Sequence, residues 1–164
     1  MSRWLKLSLV ALGAGALLSA CGDDGESPSE STTTPARAEA QIQGMNSSPL
    51  SGTATFTQTG DEVTLTLTLE GCPAGEHSAH LHANKSCDEN GDAAGGHWIP
   101  NGEGLGSFTC DASGQGTQTI TRPTDVWTIG DAGATDVTQF SIVVHAAADP
   151  DAGGRIGCGL INLE

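Results

Sequence analysis

The chain has 164 residues, with six Lys or Arg against 20 Asp or Glu and a net charge of −14. That length fits one domain with appendages, and the acid excess excludes nucleic acid as a partner, because phosphate binding needs a basic face. With 23 glycines, no tyrosine and only 4% aromatics, the composition favours many turns between short strands. The 37% hydrophobic fraction excludes wholesale disorder.

Residues 1–20 read as an export signal: Arg3 and Lys6 give the charged start and Leu7 to Leu18 the apolar stretch. At about a dozen residues that stretch is too short to span a bilayer. It ends in Leu18-Ser19-Ala20-Cys21, which resembles a bacterial lipobox. The resemblance implies cleavage before Cys21 and lipidation of its sulfur. The chain is then expected to be exported and lipid-anchored at the bacterial cell envelope, on the periplasmic face or the outer membrane. More than one acyl chain makes such an anchor stable. Residues 21–37 continue as a polar, acidic, proline-punctuated run that buries too little to fold and is expected to act as a tether.

From residue 38 to residue 164 a period-two pattern dominates. Asp61 to Glu70 alternates Val63, Leu65, Leu67 and Leu69 with Thr64, Thr66 and Thr68, an antiparallel strand with one wet face. Residues 40–44, 52–58, 76–83, 105–110, 116–121, 140–146 and 155–163 also read as strands, separated by Gly, Pro and Asp turn signals. Eight short strands without a convincing helix predict an all-β Greek-key barrel or sandwich.

Apart from Cys21 there are four cysteines, Cys72, Cys87, Cys110 and Cys158, and no Cys-x-x-Cys spacing. In an exported chain they predict two disulfides, with the connectivity open. Four of the five histidines point to a metal. His80 and His82 fall two apart in one strand and so project to the same side, whereas His77 projects to the other. His97 follows a glycine-rich loop, and His145 ends a later strand on the face that carries Ser141 and Val143. An all-imidazole set suits copper, zinc, nickel or iron, and the Irving–Williams order favours copper.

At these residues the chain resembles the copper/zinc superoxide dismutase family. The carriers are GEHSAHLHANKSC at 75–87, AAGGHWIP at 93–100, VVHAAAD at 143–149 and GGRIGCGLI at 153–161. The resemblance implies the superoxide dismutase fold, an immunoglobulin-like β-barrel, and dismutation of superoxide to oxygen and hydrogen peroxide. It implies His80, His82, His97 and His145 as ligands of one copper ion per chain, His77 as a brace, and Arg155 as the residue that attracts the substrate anion. It gives His97 the further task of holding and releasing a proton. It pairs Cys87 with Cys158, leaving Cys72 with Cys110.

The departures from the family are equally informative. Only residues 98–104 separate His97 from Leu105, no histidine remains for a zinc site, and Gly104 falls where the zinc aspartate belongs. Zinc is therefore expected to be absent, as in the copper-only branch of the family. Glu103, the only carboxylate between His97 and Cys110, is the candidate to orient His97 in place of zinc. The segment between His145 and Arg155 is cut to nine residues. These shortened loops favour a monomer. After residue 20 only Arg37, Lys85, Arg122 and Arg155 oppose 20 acids, so Arg155 is expected to govern the local potential over a screening length of ~8 Å and to make catalysis fall with salt. The alternative function is a copper-binding or copper-buffering lipoprotein without turnover, since fold alone does not guarantee activity.

Overall fold

The computed structural model describes residues 35–102 and 104–164. The export signal, Cys21 and Glu103 lie outside the described residues. The strands are β1 (Ala36–Gly44), β2 (Ser51–Thr59), β3 (Glu62–Glu70), β4 (Gly75–His82), β5 (Ser107–Cys110), β6 (Gly116–Pro123), β7 (Ser141–His145), β8 (Arg155–Leu160) and β9 (Asn162–Leu163). Neighbours run β2-β3-β6-β5-β4-β7-β8-β1, and a β1–β2 pairing closes the ring. All pairs are antiparallel. The β3–β4 and β6–β7 connections cross the barrel, which makes the topology a Greek key. The eight-stranded barrel expected from the alternation is therefore present, and among the described residues helix is confined to short 3-10 turns.

β3 shows why the pattern folds this way. Val63, Leu65, Leu67 and Leu69 are fully buried, while the intervening threonines face threonines of β2 and β6, including Thr55↔Thr66 and Thr64↔Thr121. β-branched pairs of this kind suit a pleated outer surface. Phe56 and Trp127 meet edge to face at the core, with ring centroids 5.8 Å apart. Two boundaries differ from expectation. β1 begins at Ala36, so Ala36 and Arg37 belong to the barrel and not to the tether expected through residue 37; the Arg37 Nε donates to Glu164 at 2.8 Å. The expected strand over 155–163 is broken at Ile161, which turns fully inward, and the chain resumes as β9 against β1.

β4 and β7 depart from the half-wet rule. His77 to His82 and Ser141 to His145 are buried throughout. Inward, Ala79, Leu81, Ile142 and Val144 join the main core. Outward, the loops at 83–102 and 146–154 cover the sheet, and Val143 packs with Ala94 and Cys158 in a small second core flanked by Met45 and Cys87. The Cys87–Cys158 disulfide ties this loop to β8, with Cα atoms 5.8 Å apart. At the other end Cys72–Cys110 joins the turn before β4 to β5. The seam between β1 and β8 is short: Gln43 pairs with Cys158 and Gly44 with Gly157.

Candidate metal centre

The β4–β7 register sets Ser78 opposite His145 and His80 opposite Val143. His80, His82 and His145 therefore share the outer face of adjacent strands. The glycine-rich loop supplies the fourth ring by folding back along β4: Ala83 N–H donates to Gly96 O at 2.9 Å, Trp98 N–H donates to Leu81 O at 2.7 Å, and His82 and His97 form a bridge. Trp98 stacks on Phe140 at 4.0 Å, anchoring the residue beside His97 on the barrel.

The four rings converge. Ring centroids lie 4.3 Å apart for His80–His97, 4.8 Å for His82–His97, 5.3 Å for His97–His145 and 5.5 Å for His82–His145. The Nε2 atoms of His82 and His145 face one another at 3.3 Å. His82 Nδ1–H donates to the Gly95 carbonyl at 2.9 Å, which fixes its tautomer and leaves the Nε2 lone pair facing the cluster. His80 Nδ1 is buried without a hydrogen-bond partner. Buried polar atoms are normally satisfied, and nitrogen lone pairs gathered in this way fit a copper ion. Burial, aided by the neighbouring His97 and His145 rings and opposed by Asp151, lowers the His80 pKa to about 4. Burial also dominates at His82, lowering its pKa to about 4 against the pull of the Gly95 hydrogen bond. His145 is lowered mainly by burial, with the Gly153 backbone acting in the opposite direction. These three rings are neutral at neutral pH, the form that binds metal.

His77 sits apart on the inner side of β4, as expected. Its Nδ1 faces the His145 carbonyl at 3.1 Å and its Nε2 the Pro73 carbonyl at 2.7 Å, so neither nitrogen is left for a metal. It braces the backbone of a cluster residue. The sulfurs of Cys72 and Cys110 lie close to this ring, but they are bonded to each other.

Arg155 lies beside the cluster. One guanidinium nitrogen, Nη2, donates to Gly95 O at 2.8 Å, and Nη1 donates to Gly91 O. Both acceptors are glycines with positive φ, +86° at Gly91 and +77° at Gly95, where side-chain-bearing residues are strained. A Cβ on Gly91 would stand 3.0 Å from Met45 Sδ, and one on Gly95 would stand 2.9 Å from Asn84 Nδ2. Asn46, in the β1–β2 loop, donates to the Arg155 carbonyl at 3.0 Å. The His82, His97 and His145 rings and Arg155 open onto a cleft of about 620 Å³ that is also lined by Asn46, Glu89, Asp92 and Asp151. Sequence reasoning missed the two carbonyls, Asn46 and the rim carboxylates. Only the glycines hinted at the first, and nothing local signals the others.

The sequence profile of the copper/zinc superoxide dismutase family matches residues 50–161. The chain is 30% identical to a Cu-Zn superoxide dismutase of Deinococcus radiodurans over 184 aligned positions, covering 93% of this chain and 92% of that protein. It is 29% identical to one from Haemophilus parainfluenzae, covering 74% and 78%. A plant relative, Cu-Zn superoxide dismutase 2 of Brassica juncea, is 30% identical over 73% of this chain and 95% of its own length. With its barrel, its imidazole cluster and its paired cysteines placed as described, the chain belongs to the copper/zinc superoxide dismutase family.

Proposed function

We propose that this chain dismutes superoxide to oxygen and hydrogen peroxide with one copper ion held by His80, His82, His97 and His145. The observation that carries the reading is the convergence of four imidazoles, three of them lining an open cleft beside Arg155. Copper supplies the one-electron chemistry, oxidising one superoxide and reducing the next. The chain's own residues do the rest. Arg155 holds a positive charge at the cleft, and His97 serves as the proton-holding ring. His82 is fixed by Gly95, and His77 steadies the strand end below His145.

The copper-only form is part of this proposal. The sequence holds five histidines; four form the cluster, and both nitrogens of the fifth face carbonyls. No imidazole is left for a zinc site. Glu103 is proposed to orient His97 instead. Its neighbour Gly104 lies against His80, where a Cβ would stand 3.6 Å from the ring, and His80 stacks on His97. We also place the protein at the bacterial cell envelope as a monomer, anchored through a lipid on Cys21 and the tether that follows.

Copper-reconstituted protein assayed for superoxide decay tests the activity. Copper uptake without accelerated decay would leave the buffering function in its place. Metal analysis of protein from its native envelope, showing copper near one equivalent and no zinc, tests the copper-only form.

A further inference from the structure

An enzyme for an anion is expected to present a positive mouth, and this cleft does the reverse. Glu89, Asp92 and Asp151 line it, and Arg155 is the only Lys or Arg among the described lining residues. The three carboxylates are solvent-exposed, with no ion pair at any of them among the described residues. They come from two separate loops, the tight turns of Glu89–Ala94 and the segment between β7 and β8. Asp151 is near enough to act electrostatically on both the His80 and His145 rings. Arg155, by contrast, is turned onto the Gly91 and Gly95 carbonyls. The floor of the same cleft includes His145, only 3% exposed, whose Nε2 faces His82 Nε2 at 3.3 Å. Cation-seeking nitrogens thus lie beneath a cation-seeking rim.

We propose that Glu89, Asp92 and Asp151 form a cation-selective rim that draws copper ions into the imidazole cluster and slows the approach of anions. Copper loading and substrate approach then respond to rim charge with opposite signs, and Arg155 serves as the local counterweight that keeps the anion route open. The inference rests on the copper dismutase reading for its anionic substrate, but its copper arm stands without turnover. It also reverses the expectation that catalysis falls with salt: net repulsion at the rim, once screened, lets the rate rise. Clefts lined by one sign of charge alter association rates by about tenfold or more at low ionic strength, and the effect fades within a Debye length of ~8 Å at physiological salt.

The test uses the full chain freed of metal and the Glu89→Gln, Asp92→Asn, Asp151→Asn triple variant, with Asp151→Asn alone as a milder change. Stopped-flow quenching of tryptophan fluorescence reports Cu(II) association, and the visible absorbance of the copper-loaded protein reports azide binding as an anion probe. In the unsubstituted chain, copper association should slow as salt rises. In the triple variant it should slow about threefold to tenfold, while azide binds several-fold more tightly, and Asp151→Asn should move both in the same senses by less. A merely damaged site would slow copper and weaken azide together, and that result overturns the proposal. So does copper association that is indifferent to salt and to the substitutions. An unsubstituted chain that takes up no copper overturns both this proposal and the dismutase reading, whereas salt-independent uptake removes the rim alone.

Discussion

Arg155 and His82 share one acceptor: the Gly95 carbonyl takes a hydrogen bond from the Arg155 guanidinium at 2.8 Å and from His82 Nδ1 at 2.9 Å. The residue proposed to meet the anion and a residue proposed to hold the metal are therefore oriented by the same oxygen. At φ +77° and with Asn84 close by, Gly95 is the one residue type that presents this oxygen without strain. Gly95→Ala should cost about 1–3 kcal/mol of stability, because φ +77° with ψ −151° is a backbone region essentially reserved for glycine. It should also weaken copper binding, because His82 loses its fixed tautomer. Chelator competition measures the affinity, and an affinity equal to that of the unsubstituted chain would remove the coupling.

Arg155→Lys separates charge from shape. Lysine keeps the positive charge, but its single ammonium cannot span two carbonyls as the guanidinium fork does. Copper content should be unchanged and superoxide turnover should fall severalfold, with a smaller deficit than in Arg155→Ala. Equal loss in the two variants would show that the fork, and not the charge, carries the whole effect.

The pH behaviour of the metal-free protein follows from the buried rings. The pKa values of His80 and His82 are lowered to about 4, whereas an unfolded chain titrates them near the ordinary value of ~6.5. Between those limits the unfolded chain binds more protons than the folded one, so stability decreases as pH falls from about 6.5 toward 4. Above that window the two rings contribute no pH dependence. Thermal unfolding of the copper-free protein across pH 4–8 should show this slope, and His80→Gln should flatten it. Copper should likewise be released on acidification toward pH 4, as protons compete for the same nitrogens.

Asp136 supplies a test remote from the metal. It is 2% exposed, and its carboxylate accepts from the backbone N–H groups of Gly130, Ala132 and Thr138 and from the Thr138 hydroxyl. Burial alone would raise its pKa; the donors outweigh burial and hold it below the usual carboxylate value. Its contribution is thus complete above the ordinary carboxylate pKa and disappears as pH falls through the lower folded value. Asp136→Asn should destabilise the barrel by about 2–3 kcal/mol at pH 7, the scale of hydrogen bonds to a charged group, and the deficit should shrink in acid. Denaturant unfolding at the two pH values measures the difference.

If Glu103 orients His97, Glu103→Ala should retain copper yet lose much of its turnover, while Glu103→Gln, which still accepts a hydrogen bond, should lose less. Superoxide decay per bound copper reads both. Unchanged turnover in Glu103→Ala would remove the role.

Much of the barrel was legible because its chemistry is local. Leucines alternating with threonines in β3 can bury only one face, and the two-residue step from His80 to His82 fixes their common side. His97 and His145 stood out as the remaining histidines outside the β4 run, and the resemblance supplied the disulfide pairing. What stayed hidden depends on distant segments meeting. Nothing in β7 says that Val143 will be covered, since Ala94 and Cys158 arrive from elsewhere. Asp149 to Asp151 and Glu89 to Asp92 lie far apart in the sequence, and only the fold brings Asp151 and Glu89 to one cleft. Main-chain acceptors such as Gly91 O carry no residue code at all. Ile161 continued the alternating run, but its inward burial ended β8 and diverted the chain to β1.

Cys158 occupies two positions at once. Its backbone pairs with Gln43 where the barrel closes, and its sulfur secures Cys87 in the loop that leads to His97. A newly made chain in a reducing compartment would hold neither the clasp nor the finished centre firmly, and oxidation would set both in a single event. Reducing that one bond should therefore loosen the closure of the barrel and the loop leading to His97 together.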